Sequence, residues 1–147
     1  MKISPELLAK FELLKAGKVY YGDFAKDSSS HAAVVVTIHN DFVNFFCFTS
    51  QKITIERFKQ KDPKATLELT KQEADLFFPN SEKDTYIYCG RSNWGKYSQT
   101  EFLELLSKGQ ISLKAELPDD LFMRIKKAIR ESKTMTPNLI KDIGLDV

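Results

Sequence analysis

The densest apolar pattern in the chain lies between residues 31 and 48. Ala32-Ala33-Val34-Val35-Val36-Thr37-Ile38 is a continuous β-branched run, as expected of a strand covered on both faces. After the polar His39-Asn40-Asp41, Phe42-Val43-Asn44-Phe45-Phe46-Cys47-Phe48 forms a second run, and an Asn-Asp turn between two such runs predicts a hairpin. Upstream, Val19 to Phe24 predicts a first strand, followed by the polar stretch Ala25 to Ser30. Before that strand, Ser4 caps and Pro5 starts an N-terminal helix whose apolar face is Leu7, Leu8, Phe11 and Leu14, with Gly17 as its stop. Downstream, Ile53, Ile55 and Phe58 alternate with polar residues and predict a strand running into the loop Lys59 to Lys64. Thr66 to Leu69 adds a short strand, Thr70 and Glu73 form a capping box that opens a helical turn closed at Pro79, and Asp84 to Cys89 is the last strand.

From residue 98 the period changes. Ser98 and Glu101 form a second capping box, Phe102, Leu103, Leu105 and Leu106 give a helical face, and Gly109 ends it. Ile111-Ser112-Leu113 reads as an extended link. Pro118, Asp119 and Asp120 open the strongest helix, with acids at its N-terminus and bases towards its C-terminus, as the helix dipole favours. Its stripe is Leu121, Ile125 and Ile129, and Thr136-Pro137-Asn138 starts a last short helix. The pattern predicts one α+β domain over 1–147. An antiparallel β-region over 18–97 forms a small barrel or curved sheet, with an N-terminal helix before it and C-terminal helices over 98–147.

Composition narrows the class. With 42% hydrophobic and 29% charged residues the chain is globular rather than disordered, and a net charge of +2 permits a local basic groove without marking a strongly basic nucleic-acid binder. Cys47 and Cys89 each lie in an apolar run and read as buried, reduced thiols. Glu6, Lys10, Glu12 and Lys15 interrupt the N-terminal apolar positions, and no segment approaches the roughly 20 apolar residues of a membrane span. The expectation is a cytoplasmic protein with no membrane partner.

Glycine-rich phosphate loops, zinc-protease helices and nucleophile elbows are missing from the sequence, and neither a cofactor nor a metal site is expected. Candidate chemistry is therefore scattered. Thr49 and Ser50 place two hydroxyls at a strand end, where they either hold a phosphate oxygen or merely turn the chain. His31, at the mouth of the most apolar strand, is either a proton shuttle near neutral pH or a polar surface residue. Gly90-Arg91-Ser92-Asn93-Trp94-Gly95-Lys96-Tyr97 reads as a loop. Arg91 and Lys96 suit phosphates there and Trp94 suits base stacking, unless Trp94 packs under the next helix. The basic residues Arg124, Lys126, Lys127, Arg130 and Lys133 read as a solvated helix face.

The order of Gly22-Asp23-Phe24, a polar loop, Val34-Val35-Val36 and a strand closing on Thr49-Ser50 resembles the MazF/PemK-type toxins over roughly residues 18–133. That resemblance implies an SH3-like barrel and a metal-independent endoribonuclease of a toxin–antitoxin system, cleaving single-stranded RNA by 2′-hydroxyl attack. It assigns His31, Thr49 and Ser50 to catalysis, and implies a small antitoxin protein as partner and a homodimer. The family's basic residue before the Val-rich strand is His31 here, and its later Arg-x-Asp-like site falls near Tyr88-Cys89-Gly90, where neither charge is present. Arg91 is the nearby cation. Lys59 to Asn80 and the tail after Lys133 lie outside the pattern. A non-catalytic barrel of the same fold, binding RNA or a protein, is the alternative that these departures favour.

Overall fold

The computed structural model describes residues 14–24, 30–79 and 82–145. The expected N-terminal helix falls mainly on residues outside these, as do residues 25–29 of the polar loop. Seven antiparallel strands are present: β1 (Lys18–Gly22), β2 (His31–His39), β3 (Phe42–Thr49), β4 (Thr66–Glu68), β5 (Tyr86–Tyr88), β6 (Trp94–Ser98) and β7 (Ile111–Glu116). Five helices accompany them among the described residues: α1 (Lys52–Lys61), α2 (Lys71–Ala74), α3 (Gln99–Ser107), α4 (Asp119–Glu131) and α5 (Pro137–Asp142). The strands run β4-β5-β3-β2-β1-β7, with β6 also paired to β3. This path is open, so the fold is an α+β antiparallel sheet, and the expected barrel closure does not occur among the described strands.

The predicted hairpin is β2–β3, and Asn40 and Asp41 take positive φ of 50° and 66°, as a tight hairpin turn that follows the strand twist requires. Ala32 to Val36 are all buried, because the sheet is covered on both faces. On one face Val19, Val34, Phe46 and Phe48 meet Leu121, Ile125 and Ile129 of α4. On the other, Tyr20, Val35, Val43 and Phe45 meet Phe102 and Leu103 of α3, with Tyr20 and Phe102 edge to face at 5.1 Å. Burial sets the Tyr20 phenol up to about 12. Three fully buried α4 side chains each contribute about 1.5–3 kcal/mol, whereas the acids of its first turn add about 0.3–1 kcal/mol each. Packing therefore positions α4, and the charges refine it.

Three elements differ from the sequence expectation. Residues 53–58 are helical, not a strand. Ile55 is buried and Phe58, three residues on, packs beside it, while Ile53 is 72% exposed. The spacing that matters is i to i+3, and the Ile53/Ile55 alternation is incidental. The extended link at 111–113 is the start of β7, which pairs with β1 from Glu116 to Ile111, so the C-terminal part is not purely helical. Finally, the expected loop 90–97 is a 3₁₀ turn at Arg91–Asn93 followed by β6, which pairs with Phe42 to Phe46 of β3. Both capping boxes form as expected, at Thr70/Glu73 and at Ser98/Glu101.

Gly22 makes the β1–β7 pairing feasible. Its φ is +150°, and an added Cβ would lie 2.0 Å from the Gln110 carbonyl oxygen. The Gly-Asp-Phe motif thus has a local role: a close backbone approach followed by Phe24, which is buried against Phe45. None of the described helices is long and apolar enough to cross a membrane.

Candidate functional site

The antiparallel β2–β3 register reaches Ala33 and Cys47, and just beyond that pair β2 begins at His31 and β3 closes at Thr49. These two residues line one cleft of about 330 Å³, together with Gln51, Thr54, Phe58 and Asn93. That volume lies in the range of small-ligand sites, about 300–1,000 Å³. The strand hydroxyl is held in place: Thr49 Oγ1 accepts the Gln51 backbone N–H at 3.1 Å, which leaves its own O–H as a donor. Asn93 fixes the inner wall, since its amide nitrogen donates to the Cys47 carbonyl at 2.8 Å and to the Tyr88 carbonyl at 2.7 Å.

A second, more open hollow of about 740 Å³ adjoins the first. Phe58, Tyr88 and Ser92 line both. Phe58 lies on the Tyr88 ring with centroids 3.9 Å apart and planes 9° from parallel. Tyr88 is the buried ring and Phe58 the partly buried one. Gly90 permits this placement, because a Cβ there would meet the Tyr88 phenol at 2.1 Å. The floor of the hollow is a hydrogen-bond network on Asp62, which is only 2% exposed. Its carboxylate accepts from the Tyr88 hydroxyl at 2.9 Å, from the Ser132 hydroxyl and from the Lys133 backbone N–H at 2.9 Å. Burial pulls the Asp62 pKa upward, but the bonds from Ser132, Lys133 and Tyr88 outweigh it and hold the carboxyl below its ordinary value. Burial, reinforced by Asp62, raises the Tyr88 phenol in turn. Arg91 is tied to the same network through its backbone N–H, which donates to Thr134 Oγ1 at 2.9 Å.

Among the residues expected to act together, His31 and Thr49 both line the cleft, and Arg91 lines the adjoining hollow. Ser50 is exposed and does not line the cleft, since it follows the end of β3. Trp94 and Lys96 lie in a different hollow, beside His39, Leu139 and residues 141–144. Trp94 Nε1 donates to Asn44 Oδ1 at 3.0 Å, and Lys96 Nζ sits 4.6 Å over the Phe42 ring. The reason is β6: once residues 94–98 pair with β3, their side chains are committed to that end of the strand. Phe58 and Asp62 are not legible as site residues, Asn93 is legible only as part of the 90–97 segment, and Lys133 reads as part of a solvated helix face. For Asp62 the one signal is an Asp before a Pro, which reads first as a turn.

Among the described residues no group of three or more His, Cys, Asp or Glu is placed to hold a metal ion. No known protein-family model and no curated protein matches this sequence.

Proposed function

We propose that this chain binds single-stranded RNA in the His31–Thr49 cleft and cleaves it as a toxin-like endoribonuclease. The observation that carries the reading is that His31 and the strand-end Thr49, distant in sequence, line one cleft, with Arg91 lining the hollow that adjoins it. In this scheme His31 takes the proton of a 2′-hydroxyl, and the 2′-oxygen forms a bond to the adjacent phosphorus. The bond from phosphorus to the 5′-oxygen breaks, and the imidazolium returns its proton to that leaving oxygen. The products are a 2′,3′-cyclic phosphate and a 5′-hydroxyl. Thr49 O–H and the Arg91 guanidinium stabilise the charge on the phosphorane. The SH3-like likeness, the homodimer, the cytoplasmic location and a small antitoxin partner belong to the same proposal.

The test is incubation of purified protein with a long unstructured RNA in EDTA, beside His31→Ala and Thr49→Ala. Discrete fragments with cyclic-phosphate ends are expected, with at least a 100-fold loss of rate in His31→Ala, in line with the roughly 10²–10⁴-fold contribution of general acid–base catalysis. Intact RNA with wild-type protein would sink the catalytic reading.

One observation favours a second reading, RNA binding without cleavage. His31 is the only imidazole or carboxylate residue lining the cleft among the described residues, whereas the reaction moves a proton at two oxygens. A retained gel shift with uncleaved RNA is the outcome that this reading expects.

A further inference from the structure

Three cations line the second hollow, of which Lys61 lies outside the toxin pattern, Lys133 at its edge and Arg91 within it. Lys61 ends α1, Arg91 starts the 3₁₀ turn after β5, and Lys133 follows α4. All three are exposed and line the hollow, and none of their charged heads forms a salt bridge with a described residue. The one carboxylate there, Asp62, has both oxygens turned to Tyr88, Ser132 and the Lys133 backbone, so its hydrogen-bonding capacity is used within the protein. Thr134 is anchored in the same network and fixes the backbone beside Arg91. Lys133 also lends its charge to the Asp62 carboxylate below it, so Lys61 and Arg91 are the cations left without a carboxylate partner. Three exposed cations around one hollow suit an anion.

The connection between the hollows decides what kind of anion. Phe58 lines both, and its ring is the outer member of a parallel stack whose inner member, Tyr88, is buried. A ring at that junction is a platform for a flat base, lying between a hydroxyl-and-imidazole wall and a cationic one. A free phosphate would use the cations alone, whereas a polynucleotide would use cations and platform together.

Resting on the RNA reading above, we propose that Lys61 and Lys133, with Arg91, form a second phosphate subsite, and that Phe58 stacks the base between it and the His31–Thr49 cleft. The ligand is therefore a strand of several nucleotides that crosses both hollows, and not a mononucleotide held at His31. The two lysines of the subsite supply affinity and register and take no part in bond cleavage.

Anisotropy titrations with labelled 2′-O-methyl oligouridylates of two to eight nucleotides, which cannot be cleaved, test this at several salt concentrations. Wild-type affinity should rise in a step once the oligomer is long enough to enter both hollows. Lys61→Ala/Lys133→Ala should abolish the step and reduce the slope of log affinity against log salt by about 1.4, or about 0.7 for each lost phosphate contact on a single strand. Phe58→Ala should weaken the longer oligomers about tenfold with the salt slope unchanged. The two lysines are exposed, so their replacement is expected to leave folding intact, as circular dichroism would verify. Oligomers that bind the double variant with the wild-type length dependence and salt slope would overturn the subsite and leave the RNA reading standing. Failure of every oligomer to bind wild-type protein would overturn both.

Discussion

At Asp62 a hydroxyl from β5, a hydroxyl from the segment after α4 and a backbone N–H converge on one carboxylate, so a single residue at the end of α1 ties three elements together. Asp62→Ala would leave the Tyr88 and Ser132 hydroxyls and the Lys133 N–H to find other partners in a buried place, at a cost of about 2–4 kcal/mol. The pH dependence has a definite sign. The folded carboxyl titrates below its unfolded value of about 3.9, so its contribution is fully present above about pH 4 and is lost as pH falls through the lower, folded value. Urea midpoints at pH 7 and at pH 3 should differ less in Asp62→Ala than in the wild type, and equal differences would show that the network carries no linkage. Individual residues were legible in the sequence to unequal degrees. His31 and Thr49 stand at strand ends, where an apolar run meets polar residues, and that boundary is visible in the sequence. Asp62 is not, because an Asp before a Pro looks like an ordinary turn until the three donors arrive from residues 88, 132 and 133.

Among the elements, those with a local cause were readable: the β2–β3 hairpin through its turn residues, and α2 and α3 through their capping boxes. Helix α1 was hidden because its first turn happens to place two isoleucines at i and i+2. Strands β6 and β7 were hidden because little in their own residues specifies a partner, and each is made a strand by a neighbour distant in sequence. For β7 that neighbour is β1, and the contact rests on Gly22. Gly22→Ala would drive a Cβ against the Gln110 carbonyl in a backbone conformation that favours glycine, so β7 must shift off β1. A loss of about 3 kcal/mol is expected, which for a chain of this size lowers the melting temperature by roughly 6–12 °C. Thermal unfolding followed by circular dichroism measures it, and a change of less than about 1 °C would mean that the strand end absorbs the methyl group.

Across the whole molecule the sheet has a seam. One edge of β3 is shared by two strands, with β6 on Phe42 to Phe46 and β5 on Phe48 and Thr49, and at Cys47 between them the Asn93 side chain bridges to the carbonyls of Cys47 and Tyr88. Such a branch point cannot be read from local patterning, because it depends on two segments competing for one edge. The cleft opens beside this seam, lined by His31, Thr49, Phe58, Tyr88 and Asn93. A sheet in which β5 meets β3 through a ladder at Phe48 and Thr49 and the Asn93 bridge, against the longer β6 ladder, has a natural line along which to open below the free energy of global unfolding. Amide hydrogen exchange should therefore fall into two cooperative groups: slow protons in β1, β2, β3 and β6, and faster ones in β4 and β5. A ligand that spans the seam would slow the second group towards the first, so that occupancy of the cleft could be followed as the merging of two exchange rates into one.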